Sequence, residues 1–310
     1  MEKKISFIIP CYNEEKNIDL ISESIHLVMS KLNYFYEIIF INDGSRDKTF
    51  DVLHEKSLID KNVKFISFSR NFGKDSALKA GFDYANCDAA ITIDADLQHP
   101  PELITELISE WENGYQVVYA YREKNNPHVN IFNKLSSKIF WLFLKKISSL
   151  ELEVGISDYR IIDKKVVDVL KELNEIEIFY RGIIKWVGFK QKGIPYTPDE
   201  RINGNTSYSK KALVKLAIQG ITSFSTKPLY LAMFLGIGLS AFAIIFFFIY
   251  VIYSLNFNQS ISGWASVIAA IVFFGGLNLI VLGIVGMYIG KLFMQSKERP
   301  NYLISSTNYE

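Results

Sequence analysis

No Asp, Glu, Lys or Arg occurs within residues 228–290, while Lys227 and Lys291 stand immediately outside that stretch. An uncharged interval this long constrains the chain more than any other feature, because a water-soluble domain distributes charged residues over all of its exposed surface. Inside it lie two apolar runs, 229–253 and 264–289, each longer than the about 20 residues a helix needs to cross a hydrocarbon core. The pattern predicts two transmembrane helices, since a hydrophobic hairpin buried in a soluble protein rarely runs so far without a charge. The connecting segment 254–263 is uncharged, whereas Lys210, Lys211, Lys215 and Lys227 precede the first run and Lys291, Lys297 and Arg299 follow the second. That asymmetry predicts both termini on the cytoplasmic side. No signal peptide is expected, because Met1-Glu-Lys-Lys leads straight into a strand-like run.

The remainder of the chain reads differently. Its 34 basic and 33 acidic side chains nearly cancel, which argues against a protein that coats nucleic acid along its surface. The 49% hydrophobic content of the whole chain argues against disorder. Cys11 and Cys87 are too few for a disulfide framework or a zinc site and are expected as buried thiols in a reducing compartment. Residues 5–9, 37–41, 63–68, 89–93 and 116–120 read as strands, and 14–32, 48–56, 75–86 and 101–113 have helical spacing. This alternation predicts βαβ units around a mostly parallel sheet, with ligands at the carboxyl ends of the strands. Two later segments are basic and free of acids: 133–150, where four lysines surround Ile139-Phe-Trp-Leu-Phe-Leu144, and 201–227, with five basic residues. Beside a membrane span such segments are expected to lie on an anionic lipid surface, the alternative being an ordinary solvated helix face.

The strongest chemical signal is Asp94-Ala-Asp96 at the end of the 89–93 run, followed by Leu97-Gln-His-Pro-Pro101. Alternate residues of a strand face the same side, so both carboxylates converge on one point. Two like charges there are unfavourable without a cation, and a hard divalent ion such as Mg²⁺ or Mn²⁺ suits oxygen donors while leaving positions open for a nucleotide diphosphate. A bare Asp-x-Asp is common and often only caps the next helix; its place at a strand end narrows the reading. Asp43, in Ile41-Asn-Asp-Gly-Ser45, either accepts hydrogen bonds from a nucleoside or makes an Asx turn for backbone reasons alone. Pro10-Cys-Tyr-Asn-Glu14 ends the first strand and either supplies backbone contacts and Glu14 to a nucleoside or caps a helix.

Pro10-Cys-Tyr-Asn-Glu-Glu15, Asn42-Asp-Gly-Ser45, Ser69-Arg-Asn-Phe-Gly-Lys74, Asp94-Ala-Asp-Leu-Gln-His-Pro-Pro101, Asp158-Tyr-Arg160, Arg181-Gly182 and Ser223-Phe-Ser225 occur in that order. Together they resemble the polyisoprenyl-phosphate glycosyltransferases of glycosyltransferase family two, relatives of dolichol-phosphate mannose synthase. The two C-terminal spans make the bacterial undecaprenyl-phosphate sugar transferases the nearest type. The resemblance covers about the whole chain, and its motifs are specific in combination although each alone is weak. It implies a GT-A α/β fold with a mostly parallel sheet, followed by amphipathic interfacial helices and two transmembrane helices. It also implies a nucleotide-sugar donor of the UDP type, a polyprenyl phosphate acceptor, Mg²⁺ or Mn²⁺, and a place in the bacterial cytoplasmic membrane making a lipid-linked sugar for the cell envelope.

Carried over by position, Asp43 resembles the nucleoside-binding acid, Asp94 and Asp96 the donor and metal pair, and Asp158 the acid beside the reacting centre. Pro10, Tyr12, Glu14 and Lys74 join the donor set by the same resemblance. Arg122, Arg201, Lys210 and Lys211 are weaker matches for cations that hold phosphate. The family often reads Gly-Glu-Ser-Lys-Tyr where this chain has Gly204-Asn-Thr-Ser-Tyr208, so one phosphate contact is missing unless Lys210 replaces it. Asp158 either serves catalysis or is a structural partner of Arg160. A processive polysaccharide synthase shares the Asp-x-Asp chemistry, but Arg181-Gly-Ile-Ile-Lys-Trp186 does not match the Gln-x-x-Arg-Trp of such enzymes. A catalytically inactive membrane scaffold is the reading from another class, and the intact acids argue against it. The expected organisation is a cytoplasmic catalytic domain at 1–200, an amphipathic juxtamembrane segment at 201–228, a two-helix membrane hairpin at 229–291 and a cytoplasmic tail at 292–310. Gly275-Gly276 and Gly283-x-x-Gly286 permit close helix packing, including that of a homo-oligomer.

Overall fold

The computed structural model describes residues 3–122, 156–176, 178–197, 222–223, 225–257 and 263–309. The basic segment 133–150 lies outside the described residues, as do Arg201, Lys210, Lys211 and Lys215, and Arg122 is described through its backbone alone.

In chain order the elements are β1 (Lys4–Cys11), α1 (Ile18–Met29), β2 (Phe35–Asn42), α2 (Thr49–Ile59), β3 (Val63–Phe68), α3 (Lys74–Tyr84), β4 (Ala89–Thr92), α4 (Leu103–Glu112) and β5 (Val117–Arg122). They continue with β6 (Ile156–Asp163), α5 (Lys164–Glu172), α6 (Tyr180–Trp186), β7 (Gln191–Tyr196), α7 (Lys227–Phe257), α8 (Trp264–Gln295) and β8 (Ile304–Thr307). One eight-stranded sheet has the order β7-β5-β6-β4-β1-β2-β3-β8. Strands β1 to β4 are mutually parallel, β6 runs antiparallel between β4 and β5, and β8 is antiparallel on β3. This is the expected GT-A-like α/β arrangement.

The alternation of side chains along each strand builds a core on both faces. Ile5, Phe7 and Ile9 pack with Ile21 of α1, Leu53 of α2 and Leu107 of α4, while Ile8, Ile39 and Ile41 pack with Leu78 and Phe82 of α3 and with Val166 and Leu170 of α5. Strands covered on both faces carry near-continuous apolar residues, which explains Phe7-Ile-Ile9 in β1 and Ile38-Ile-Phe-Ile41 in β2; the buried Ser6 and Glu37 pair with each other, Ser6 Oγ donating to Glu37 Oε1. Helix α3 lies directly on β1 because residue 81 has no side chain: a Cβ on Gly81 would stand 2.2 Å from Ile8 Cγ2. Helix α1 begins at Ile18 rather than at residue 14, since residues 14–17 form a turn closed by the Asn17 amide on the Glu14 carbonyl at 2.9 Å. Asp47 makes an Asx turn just ahead of α2, accepting the Thr49 amide at 3.0 Å. Both cysteines are buried free thiols.

Helices α7 and α8 are long and apolar enough to cross a membrane. Their large side chains are bare, with Phe242 66% and Leu279 71% exposed. Within the stretch 292–310, expected as a tail, residues 304–307 pair with the sheet. Helix α8 continues to Gln295, and the chain then supplies the edge strand β8. The outer edge of β3 presents unpaired amides and carbonyls, and β8 satisfies them.

Candidate active site

The strand order reverses between β1 and β4, and in open α/β sheets ligands occupy the crevice at such a switch point. The 10–14 loop after β1, the 42–45 turn after β2, the 69–73 loop after β3 and the 94–101 loop after β4 all reach this end of the sheet. The antiparallel insertion of β6 adds a fifth contributor. Its antiparallel register sets Arg160 opposite Thr92, so Asp158, two residues before Arg160, stands level with Asp94, two residues after Thr92.

Lys74, the first residue of α3, joins these two acids. Its Nζ lies 2.5 Å from Asp94 Oδ1 and 2.9 Å from Asp158 Oδ2. Arg181 of α6 grips Asp158 as a fork, Nε donating to Oδ1 and Nη2 to Oδ2, both at 2.8 Å. Arg160 Nη2 adds a contact to Oδ1 at 3.3 Å and donates to the Ser157 carbonyl at 2.8 Å. The Thr92 hydroxyl donates to the Asp158 carbonyl. Burial alone would raise the Asp158 carboxyl, but Lys74, the Arg181 fork and the Arg160 charge hold it well below the usual range. Asp94 follows the same logic, with burial opposed by Lys74 and then His99. Lys74 is in turn raised despite its burial, because Asp158 and Asp94 flank it. His99, 2% exposed, has Nε2 at 3.7 Å from Asp94 Oδ2 and packs, tilted, against the rings of Tyr159 and Tyr196.

The other expected residues are distributed around this centre. Asp96 Oδ1 accepts the Gln98 amide at 3.2 Å. Glu14 is raised, first by burial and then, beyond a lowering contact from Asn17, by the charges of Asp96, Asp94 and Asp47. Tyr12 stands 41% exposed, and Pro10 lies within β1 opposite Ile41. Asp43, 4% exposed, accepts the Phe72 amide at 2.6 Å and the Gly73 amide at 2.9 Å, so it pins the loop that leads into Lys74. Gly44, at φ +64°, lets the 42–45 turn meet that loop, since a Cβ there would come 2.3 Å from the Arg70 carbonyl carbon. Arg122 is placed by its backbone opposite Tyr196 at the end of β5.

The carboxylates of Asp94 and Asp96 are the hard oxygen donors that would hold a divalent cation here. The acid crowding felt by Glu14 is what such a cation would relieve. Among the described residues no group of three or more His, Cys, Asp or Glu could hold an ion unaided.

Sequence reasoning gave no role to Arg181 and His99, which stand within motifs of the family resemblance, and passed over Asp75. Arg181 lies in helix α6 and its partner Asp158 in strand β6, so no local spacing announces the pair. Asp75, in the first turn of α3, is pushed up to about 6, first by burial and then by Asp158, against Lys74, Arg181 and the Tyr180 amide. A carboxyl raised in the folded chain keeps a proton that the unfolded chain has lost, so its contribution weakens the fold as pH rises from about 4 to about 6. Asp75→Asn keeps an acceptor for the Tyr180 amide. It is expected to stabilise the chain by about 2 kcal/mol near pH 8 and by far less near pH 4. Unfolding midpoints measured at the two pH values check this, and equal shifts at both would refute it.

The Glycosyl transferase family 2 model matches residues 6–170. An uncharacterized glycosyltransferase of Bacillus subtilis, YkcC, is 42% identical over 302 residues, covering 97% of this chain and 93% of that protein. The bactoprenol glucosyl transferase of Shigella phage SfV is 36% identical over 303 residues, covering 98% of each. Among solved structures, the glucosyl-3-phosphoglycerate synthase of Mycobacterium tuberculosis aligns with a TM-score of 0.47 and 18% identity, over 71% of this chain and 78% of that one.

Proposed function

The chain belongs to glycosyl transferase family 2, and on that premise we propose that it transfers one sugar from a UDP-sugar to the phosphate of a polyprenyl phosphate, undecaprenyl phosphate in a bacterium. The observation that carries this reading is the ion-paired cluster of Asp94, Lys74, Asp158 and Arg181 at the crevice between β1 and β4. The acceptor class is supported by the similarity to a bactoprenol glucosyl transferase, which runs through both long apolar helices. Glucose, the sugar in that relative's name, is the first donor to test.

An acceptor phosphate monoester is an anion at neutral pH, its second pKa being about 6. It therefore attacks without a strong base. A phosphate oxygen forms a bond to the anomeric carbon as the bond from that carbon to the nucleoside diphosphate breaks, and this single displacement inverts the centre. Asp158, held ionised by three cations, is a poor proton acceptor. Its role is to fix Lys74 and Arg181, whose side chains remain 36% and 37% exposed, so that their charge faces the incoming and departing phosphates. Asp96, with Asp94, would hold Mg²⁺ or Mn²⁺, which when bound offsets charge on the leaving diphosphate. Glu14, Tyr12, Pro10 and Asp43 line or support the donor side, and Arg122, Arg201, Lys210 and Lys211 are assigned to the acceptor phosphate.

The reaction is assigned to the cytoplasmic face of the inner membrane, with both termini on that face. The lysines flanking the apolar helices support this, and so does β8, which ties the chain beyond α8 to the same sheet that precedes α7. Membranes containing the chain, given undecaprenyl phosphate and a panel of radiolabelled nucleotide sugars, should yield an extractable lipid carrying a single labelled sugar. Label in a polymer, or no labelled lipid with any donor, would overturn the proposal.

A further inference from the structure

We propose that Tyr302 is a positioning residue for Lys74, so that the segment after α8 sets the geometry of the charge cluster. The inference rests on the transferase reading for what that geometry serves. Lys74 reaches both acids only if the preceding loop, 69–73, delivers the start of α3 to one place, and that loop has no regular structure of its own. Asp43 holds it from one side through the Phe72 and Gly73 amides.

The C-terminal segment holds it from the other side. Strand β8 pairs with β3 through Ile66–Thr307, Ser67–Ser306 and Phe68–Ile304, and the Ser69 amide extends the pairing by donating to the Leu303 carbonyl at 2.9 Å. The Tyr302 ring lies flat on Phe68, with centroids 5.1 Å apart at 14°, and Phe68 meets Phe72 edge-on at 5.8 Å. The Arg70 guanidinium covers Phe72 at 3.9 Å. The Tyr302 hydroxyl donates to Asp83 in the last turns of α3 at 2.9 Å. One side chain thus braces the loop ahead of α3 and the far end of the same helix, leaving Lys74 little freedom along the axis. Gln295, at the end of α8, complements this by accepting the Ile176 amide at 3.0 Å and donating to the Asn174 carbonyl at 2.8 Å, in the segment that leads to Arg181.

A flat ring stack resists sliding in a way that an aliphatic side chain of similar bulk does not, and a displacement of about 1 Å at a reacting site costs up to about a hundredfold in rate. In the full chain reconstituted in lipid nanodiscs, Tyr302→Leu and Tyr302→Ala should lower kcat about tenfold while moving the nucleotide-sugar KM less than about threefold. Tyr302→Phe keeps the stack, which carries the main restraint on the 69–73 loop, and loses only the Asp83 hydrogen bond at the far end of α3, so it should restore kcat to within about threefold. Hydrogen exchange across residues 69–74, read without turnover, should quicken in the Leu and Ala variants and not in Phe. If Ala does not fold, Leu carries the test. Wild-type kcat and exchange in Leu, or a Phe variant as impaired as Leu, would overturn the positioning role. A wild-type chain that transfers no sugar, yet shows faster 69–74 exchange in Leu, would overturn the transferase reading and leave the Tyr302 brace standing.

Discussion

Asp158→Asn should lower turnover by about a thousandfold or more and weaken the fold at the same time. The substitution removes the one anion on which Lys74, Arg160 and Arg181 converge. Breaking a fully buried charge cluster by deleting one partner costs about 3–5 kcal/mol, and the cost is smaller here because Lys74 and Arg181 are 36% and 37% exposed while Arg160 stays desolvated. The three cations would repel one another, and Arg181 and Lys74 would leave the positions from which they face phosphate. Binding of the UDP-sugar should be largely kept, since the 10–14, 42–45 and 94–98 segments are held by other contacts. Single-turnover transfer, calorimetric donor binding and an unfolding midpoint together check this result. Normal turnover would remove Asp158 from the mechanism, and a large loss of donor affinity with normal chemistry would make it a donor ligand. The cluster also predicts acid sensitivity. A carboxyl whose folded pKa is depressed contributes stability that is present above about pH 4 and is lost as pH falls towards the folded value.

Asp96→Asn should be equally severe for turnover, about a hundredfold to ten-thousandfold, yet leave the fold nearly untouched. The Gln98 amide accepted by Asp96 Oδ1 finds an acceptor in Asn as well. The loss is one unit of charge where the proposed Mg²⁺ or Mn²⁺ shares its shell with the diphosphate. Titration of the variant with Mn²⁺ should recover only part of the rate, at higher metal concentration than the wild type needs. Full turnover at ordinary metal concentration would sink the assignment. The contrast between the two variants is itself informative: the same isosteric change should destabilise the chain more at Asp158 than at Asp96, because Asp158 is buried and gathers Lys74, Arg160 and Arg181.

The local patterns of this chain were enough to place much of its architecture. Strands β1 to β5 and helices α2 to α4 lie within a few residues of where apolar runs and helical spacings put them, and α1 differs in starting four residues later, because a strand or helix that must bury one or both faces shows that need in its own residues. The same holds for α7 and α8, whose uncharged length is a local property, and for Asp94-Ala-Asp96 at a strand end. Tertiary structure alone decided which residues meet these acids. Nothing in Ile156-Ser-Asp-Tyr-Arg-Ile-Ile-Asp163 says that it enters the sheet antiparallel beside β4, yet that register is what sets Asp158 level with Asp94. Arg181 pairs with Asp158 across separate elements, Asp43 spends its carboxylate on the 72–73 amides, and residues 304–307 close the edge of β3. Each of these depends on which distant segment offers the complementary charge or the unpaired backbone edge, and a one-dimensional pattern records only that a group needs a partner.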